Sequence, residues 1–325
     1  MTSLRAAHRI LPESEPRKGS SQLDFLLFQL IVAQRITQFL RAGLAHRHGQ
    51  GNGLGKSGFG DLRHKIIMSN PSAIRIMPCL DMQNGRVVKG VHFVNIQDAG
   101  DPVACARAYC EAGADELAML DITATVENRP TLLEVVKRVA EVTTIPFTVG
   151  GGIKDLASAS AVLAAGAGKI STSSAAFRHP QVIAEMVREL GPSKVTVAID
   201  VDRNPSLPSG YEVYIDGGRT ATGKDAVEWA KEVDGYGVRC ILPTSKATDG
   251  ARTGFDLPLI RLMAKATSAE LVASGGAGTL EHFLQAAEAG ATVLLAASVF
   301  HFGIVSIPEL KAFLRQHGCQ IQMSN

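Results

Sequence analysis

The sequence has little of what marks a membrane, nucleic-acid or secreted protein. Cysteines are few: Cys79, Cys105, Cys110, Cys240 and Cys319 form an odd set without a Cys-x-x-Cys pair, so neither a disulfide framework nor a cysteine-based zinc site is indicated. Most sit in apolar runs, as buried thiols do, and a reducing cytoplasm is the simplest compartment. Net charge is nearly absent. With 33 basic and 31 acidic residues giving +2, the chain lacks the concentrated charge of a nucleic-acid surface or a membrane-binding face. The longest apolar run near the start, Phe25 to Ala33, is too short to span a bilayer, contains Gln29 and precedes no secretory-type cleavage site. What remains is a 325-residue chain, 46% hydrophobic, with room for one large α/β domain or two smaller ones and a small polar or anionic substrate.

Residues 1–67 are poor in acids, rich in Arg, His and Gly, and show no alternation of strand and helix signals. They read as a dispensable extension, poorly structured or helical over Gln22–Leu44: a start codon placed too far upstream, a targeting peptide, or a small accessory helix. Met68-Ser69-Asn70, followed at once by a strand, looks like a natural beginning for a domain of residues 68–325. Gly55-Lys56-Ser57 ends like a nucleotide-binding P-loop, but Gln50 stands where that loop needs glycine and no strand precedes it, so a flexible linker accounts for it.

Beyond Met68, β-branched runs alternate with amphipathic stretches eight times. The strands are predicted at Arg75–Leu80, Glu116–Leu120, Pro146–Val149, Lys169–Ser171, Val195–Ile199, Cys240–Leu242, Glu270–Ala273 and Val293–Ala296. Helices are predicted to begin near Pro102, Thr131, Asp155, Pro180, Ala226, Pro258, Leu280 and Ile307. Eight strand–helix units in about 250 residues is the size of a (β/α)₈ TIM barrel. The halves also echo each other. Ile76-Met77-Pro78-Cys79-Leu80-Asp81 resembles Val195-Thr196-Val197-Ala198-Ile199-Asp200, and Val149-Gly150-Gly151-Gly152-Ile153 resembles Ala273-Ser274-Gly275-Gly276-Ala277. Such an internal twofold half-barrel repeat suits a closed barrel better than an open doubly wound sheet.

In such a barrel the C-terminal ends of the strands carry the chemistry. Asp81 and Asp200 end strands in opposite halves and so face each other, an arrangement suited to paired acid–base catalysis; each alone reads equally as a helix or turn cap. Gly151, Gly152, Gly275 and Gly276 let the backbone approach a ligand. Ser173 and Ser174, with Ala297 and Ser298, offer hydroxyls and backbone N–H groups where short helices can start, a setting that binds phosphate. The repeat doubles this arrangement, which predicts a phosphorylated small-molecule substrate with a phosphate at each end.

Cys79-Leu80-Asp81, Gly85-Arg86-Val87-Val88-Lys89-Gly90, Asp98-Ala99-Gly100-Asp101-Pro102, Leu120-Asp121-Ile122-Thr123-Ala124 and Ala297-Ser298-Val299-Phe300-His301-Phe302 are among segments that together resemble the cyclase subunits of imidazole glycerol phosphate synthase, from about Arg75 to His317. The resemblance implies attack of ammonia on a phosphoribulosyl-formimino ribonucleotide, giving imidazole glycerol phosphate and aminoimidazole carboxamide ribonucleotide in histidine biosynthesis. It places the catalytic pair on Asp81 and Asp200, a substrate-closing lysine on Lys89, and site-lining residues on Thr244, Asp249 and Gly250. No metal or cofactor is implied. A separate glutaminase subunit would dock on the opposite mouth and deliver ammonia through a charged gate matching Arg75, Glu116 and Lys169. No cysteine occurs in residues 1–67, so that nucleophile is not supplied there.

Several working positions depart from the pattern. Cys240 replaces the gate's usual Glu, Ser173 an Asn and Ala251 a Thr, while Gln97, Pro243 and Ala247 also differ. Two further readings therefore stand beside the cyclase: a sibling ribonucleotide isomerase, which would turn over without a nitrogen donor, and a catalytically degenerate barrel kept as a binding partner.

Overall fold

The computed structural model describes residues 73–91, 94–127 and 130–322; the readings made for residues 1–67 lie outside them. In chain order the strands are β1 (Arg75–Gln83), β2 (Arg86–Val91), β3 (Val94–Gly100), β4 (Leu117–Asp121), β5 (Phe147–Gly150), β6 (Lys169–Thr172), β7 (Val195–Arg203), β8 (Tyr211–Ile215), β9 (Thr220–Asp225), β10 (Cys240–Ser245), β11 (Glu270–Ala273) and β12 (Val293–Ala296). The helices are α1 (Pro102–Glu111), α2 (Leu133–Ala140), α3 (Leu156–Ala164), α4 (Ser174–Arg178), α5 (Gln181–Leu190), α6 (Ala226–Gly235), α7 (Leu257–Ala266), α8 (Leu280–Glu288), α9 (Ser298–His301) and α10 (Ile307–Gln316). None of them is long and apolar enough to cross a membrane.

Eight strands pair in parallel in the order β1-β4-β5-β6-β7-β10-β11-β12, and β12 returns to β1 through Arg75↔Val293 to Pro78↔Ala296. This is a closed (β/α)₈ barrel, with every predicted strand in place. Runs such as Val293-Leu294-Leu295-Ala296 are apolar at each position because a barrel strand is covered on both faces. Alternate residues divide between two cores. Ile76, Leu80, Leu117 and Ile241 pack outward against the helices, while Met77, Cys79, Ala118, Leu242, Val272 and Leu295 fill the barrel itself. Side chains of Asp101, Asp155, Asp225, Asp256 and Ser306 accept the first free N–H groups of α1, α3, α6, α7 and α10, which fixes where those helices begin.

Two features differ from the sequence reading. The strands bearing Asp81 and Asp200 do not end there but continue to Gln83 and Arg203, because each is extended by a hairpin, β2–β3 on one side and β8–β9 on the other. β1 turns into β2 at Asn84-Gly85, both at positive φ (51° and 74°), the conformation that lets a two-residue turn follow the strand twist. At the other mouth, Lys311 of α10 reaches the buried Asp115 at 2.6 Å, whose second oxygen accepts from Ile76 N, and Ile74 bridges to Ile321. The ends of the barrel domain are thereby fastened together.

Candidate active site

β7 lies four strands from β1 in either direction around the ring, so Asp81 and Asp200 stand on opposite walls. Both line one cavity of about 770 Å³ at the C-terminal mouth, the size of a pocket that encloses a substantial small molecule. Cys79 Sγ donates to Asp81 Oδ1 at 3.4 Å, from two residues earlier on the same inward face of β1. Asp200 is flanked by Thr244 on β10 and Tyr214 on β8. Desolvation by burial pushes the Asp200 carboxyl up to about 6, the Asp249 carboxylate adds to the shift, and Lys246 opposes it. Lys246 itself is held over the Tyr214 ring at 3.6 Å and lies 3.4 Å from Asp202. Asp200 is therefore far more basic than an ordinary carboxylate, yet mostly ionised at neutral pH.

The glycine loops form the ends of this cavity. Gly151 has φ 94°, and a Cβ there would stand 2.2 Å from Asp121 O; Gly276 has φ 106°, with a Cβ at 2.0 Å from Gly254 O. Only glycine fits at either place. Gly152, Ser173 and Ser174 line the cavity beside Gly151, as Gly275, Ala297 and Ser298 do beside Gly276. Their counterparts lie 124 residues apart (151 and 275, 174 and 298), so the chain folds the same cradle twice. Thr244, Asp249 and Gly250 line the wall between Asp200 and the second cradle. Lys89 lies on β2, paired with Gln97 of β3 in the first hairpin, whose β1 end joins the mouth.

Sequence reasoning passed over the cations at the rim. Arg178, Arg219 and Arg252 all line the cavity. Arg178 bonds both Asp216 oxygens (2.7 and 2.8 Å), and Asp216 N donates to Ser174 Oγ, which ties the second hairpin's turn to the first cradle. Arg252 Nε approaches Ser298 Oγ at 3.4 Å, and its guanidinium lies 5.7 Å from the Phe302 ring centre. A sequence signal existed only for the first cradle, where Lys154 and Arg178 lie within a few residues of Gly152 and Ser174; Arg252 is 23 residues before Gly275, and only the fold brings it to Ser298.

The opposite mouth is closed by charge. Lys169 Nζ meets Glu116 Oε2 at 2.8 Å; Glu116 Oε1 meets Arg75 Nε at 3.1 Å; and Arg75 Nη2 meets Glu270 Oε2 at 2.8 Å. Glu270 was read only as the start of a strand. It supplies the second anion that Cys240 does not: burial pushes the Cys240 thiol up to about 11, which keeps it neutral. The three ion pairs run as a chain, Lys169–Glu116–Arg75–Glu270.

A (β/α)₈ barrel whose C-terminal mouth holds one cavity, with carboxylates on opposite walls and glycine loops beside them, has the architecture of a barrel enzyme. The chain belongs to the histidine biosynthesis protein family, whose model matches residues 75–306. It is 49% identical over 253 residues to the imidazole glycerol phosphate synthase subunit HisF of Thermobifida fusca (strain YX), covering 77% of this chain and 99% of that one. The same figures hold for the protein of that name from Pyrobaculum aerophilum (strain ATCC 51768 / DSM 7523 / JCM 9630 / CIP 104966 / NBRC 100827 / IM2). Both relatives carry the name of one subunit of a synthase, a complex of more than one chain.

Proposed function

We propose that the chain catalyses the cyclase reaction of histidine biosynthesis at the Asp81–Asp200 cavity. The observation that carries the reading is the pair of cradles 124 residues apart with one carboxylate on each wall between them. The phosphoribulosyl-formimino ribonucleotide has a phosphate at each end, and the cradles hold both, with Arg178 and Arg252 adding charge at the rim. Ammonia adds to the substrate's ketone carbon and the ketone oxygen leaves as water. The new nitrogen then closes onto the formimino carbon, and the carbon–nitrogen bond to the aminoimidazole breaks, so one substrate and one ammonia yield imidazole glycerol phosphate, aminoimidazole carboxamide ribonucleotide and one water. The steps move protons to and from nitrogen and oxygen, and formation of the ring double bond also removes one proton from the CH₂ carbon beside the former ketone. Asp200 accepts protons from the attacking nitrogen, its raised proton affinity suiting that role near neutral pH, and Asp81 serves the opposite wall. Thr244 and Asp249 orient the substrate, and Lys89 on its hairpin closes over it. The purified chain, given ammonium salt and no second protein, is expected to consume the ribonucleotide; turnover that does not respond to ammonium contradicts the reading.

The charged mouth serves the partner, a glutaminase subunit that docks there and releases ammonia into the barrel. Met77, Ala118, Val272 and Leu295 make an apolar interior through which a neutral molecule passes more easily than an ion. Arg75, Glu116, Lys169 and Glu270 form its gate. Glu270→Gln removes one of Arg75's two anions and loosens the closed state. Ammonia-dependent turnover should stay near wild type, while glutamine hydrolysed per product by the assembled complex rises above one. Unchanged coupling would remove Glu270 from the gate.

A further inference from the structure

The two cradles are fastened from behind by different acceptors. In the first, Ser158 Oγ accepts from Lys154 N and Asp155 N, each at 3.1 Å. At the matching position of the second, 124 residues on, His282 Nδ1 accepts from Gly278 N at 3.1 Å and Thr279 N at 3.3 Å. The edge of the same imidazole faces the loop after β10: a Cβ on Gly254 would stand 3.6 Å from His282 Cδ2 and 3.7 Å from Nε2. Gly254 N in turn donates to Gly276 O at 2.8 Å, and Thr248 Oγ1 to Gly275 O at 3.2 Å. One ring thus holds the end of the loop after β11 and faces the loop after β10.

Nδ1 accepts only while it carries no proton, so the ring is neutral with its hydrogen on Nε2. Protonation would set an N–H against two N–H donors. Of the charged groups around it, the Glu281 carboxylate bonds its own amide and the Thr279 hydroxyl and is the acidic group that interacts with the His282 ring, Arg252 presents only donors on its side chain, and His317 Nδ1 is paired with Phe313 O. A serine hydroxyl at the matching position has no second proton to take up, whereas an imidazole does.

We propose that His282 is a positioning residue for the second anion cradle, and that its protonation loosens this cradle while the first is untouched. Substrate affinity then acquires an acid sensitivity that belongs to one half of the barrel. The proposal rests on the phosphate-cradle reading of the Gly275–Gly276 loop.

The test is calorimetric titration of the phosphoribulosyl-formimino ribonucleotide, without ammonia, into the full chain and its His282→Ser and His282→Asn variants at about pH 8 and about pH 5.5. Both variants retain an acceptor, so near-wild-type binding is expected at the higher pH. On acidification the wild-type Kd should weaken roughly tenfold more than either variant's, the effect of losing about one net hydrogen bond. Titration of the substrate's own phosphates is common to all three proteins and cancels. Equal weakening in all three overturns the proposal, as does wild-type binding that tightens in acid relative to the variants, which would make the imidazolium a phosphate ligand. No wild-type binding at about pH 8 removes the cradle reading itself, and this inference with it. If the serine variant does not fold, the asparagine variant decides.

Discussion

Asp200→Asn should lower ammonia-dependent kcat by about 10²–10⁴, the range for loss of a positioned general base, with the KM for the ribonucleotide changed far less. Asparagine keeps the shape and hydrogen-bonding capacity of aspartate but cannot take a proton at neutral pH. The pH profile separates this from a packing defect. In the wild type, kcat at constant free ammonia should fall as pH drops through about 6, where the Asp200 carboxylate takes up its proton. In the residual activity of the variant that limb should be absent. Asp81→Asn should cause a loss of similar size, because the opposite wall then has no proton carrier. Stability moves the other way for Asp200. Its folded-state pKa is raised, so the folded protein binds this proton more tightly than the unfolded chain, and stability falls as pH rises from the ordinary carboxylate range to about 6. Above that window Asp200→Asn should melt higher than wild type, an activity loss accompanied by a stability gain.

Gly276→Ala should be the most damaging single-methyl change in the site. The backbone stands at φ 106°, and the new Cβ would lie 2.0 Å from Gly254 O, an atom of the backbone that cannot rotate away. Either the loop carrying Gly254 and Arg252 moves, or Gly276 leaves its conformation; both open the second cradle. A strained φ alone costs about 1–3 kcal/mol, and displacement of the neighbouring loop adds to it. Thermal unfolding should shift down accordingly, and ribonucleotide binding should fall below detection while the far-UV circular dichroism of the barrel persists. Gly151→Ala, where the obstacle is Asp121 O at 2.2 Å, should behave alike in the first cradle. An alanine variant that binds substrate normally would show that these loops need no close approach.

The barrel was legible because its strands are largely apolar and alternate with helices, many of them capped, a pattern that survives without tertiary information. The two aspartates and the glycine pairs were legible because the half-barrel repeat marked them twice. The hairpins were less legible although Asn84-Gly85 signals a tight turn: β9 is mostly polar and largely exposed, while β8 is short and buried and adds no helix to the barrel's strand–helix alternation. Glu270 was missed for a different reason. In Ser268-Ala269-Glu270 it looks like any solvated charge at a strand start, and only closure of the ring brings it to within 2.8 Å of Arg75, across β12. His282 likewise reads as one polar residue in an amphipathic helix until the fold turns its Nδ1 toward Gly278. Long-range register decides the first case; the His282 bonds are local, to residues three and four earlier, as an N3 side chain at a helix start.

The most direct measurement is a turnover with ¹⁵N-ammonium, the phosphoribulosyl-formimino ribonucleotide and the purified chain alone, followed by mass analysis of both products. One labelled nitrogen in imidazole glycerol phosphate, none in the aminoimidazole carboxamide ribonucleotide, and equal amounts of the two are the result this account predicts. Consumption of the ribonucleotide without uptake of label, or binding without consumption, would contradict it.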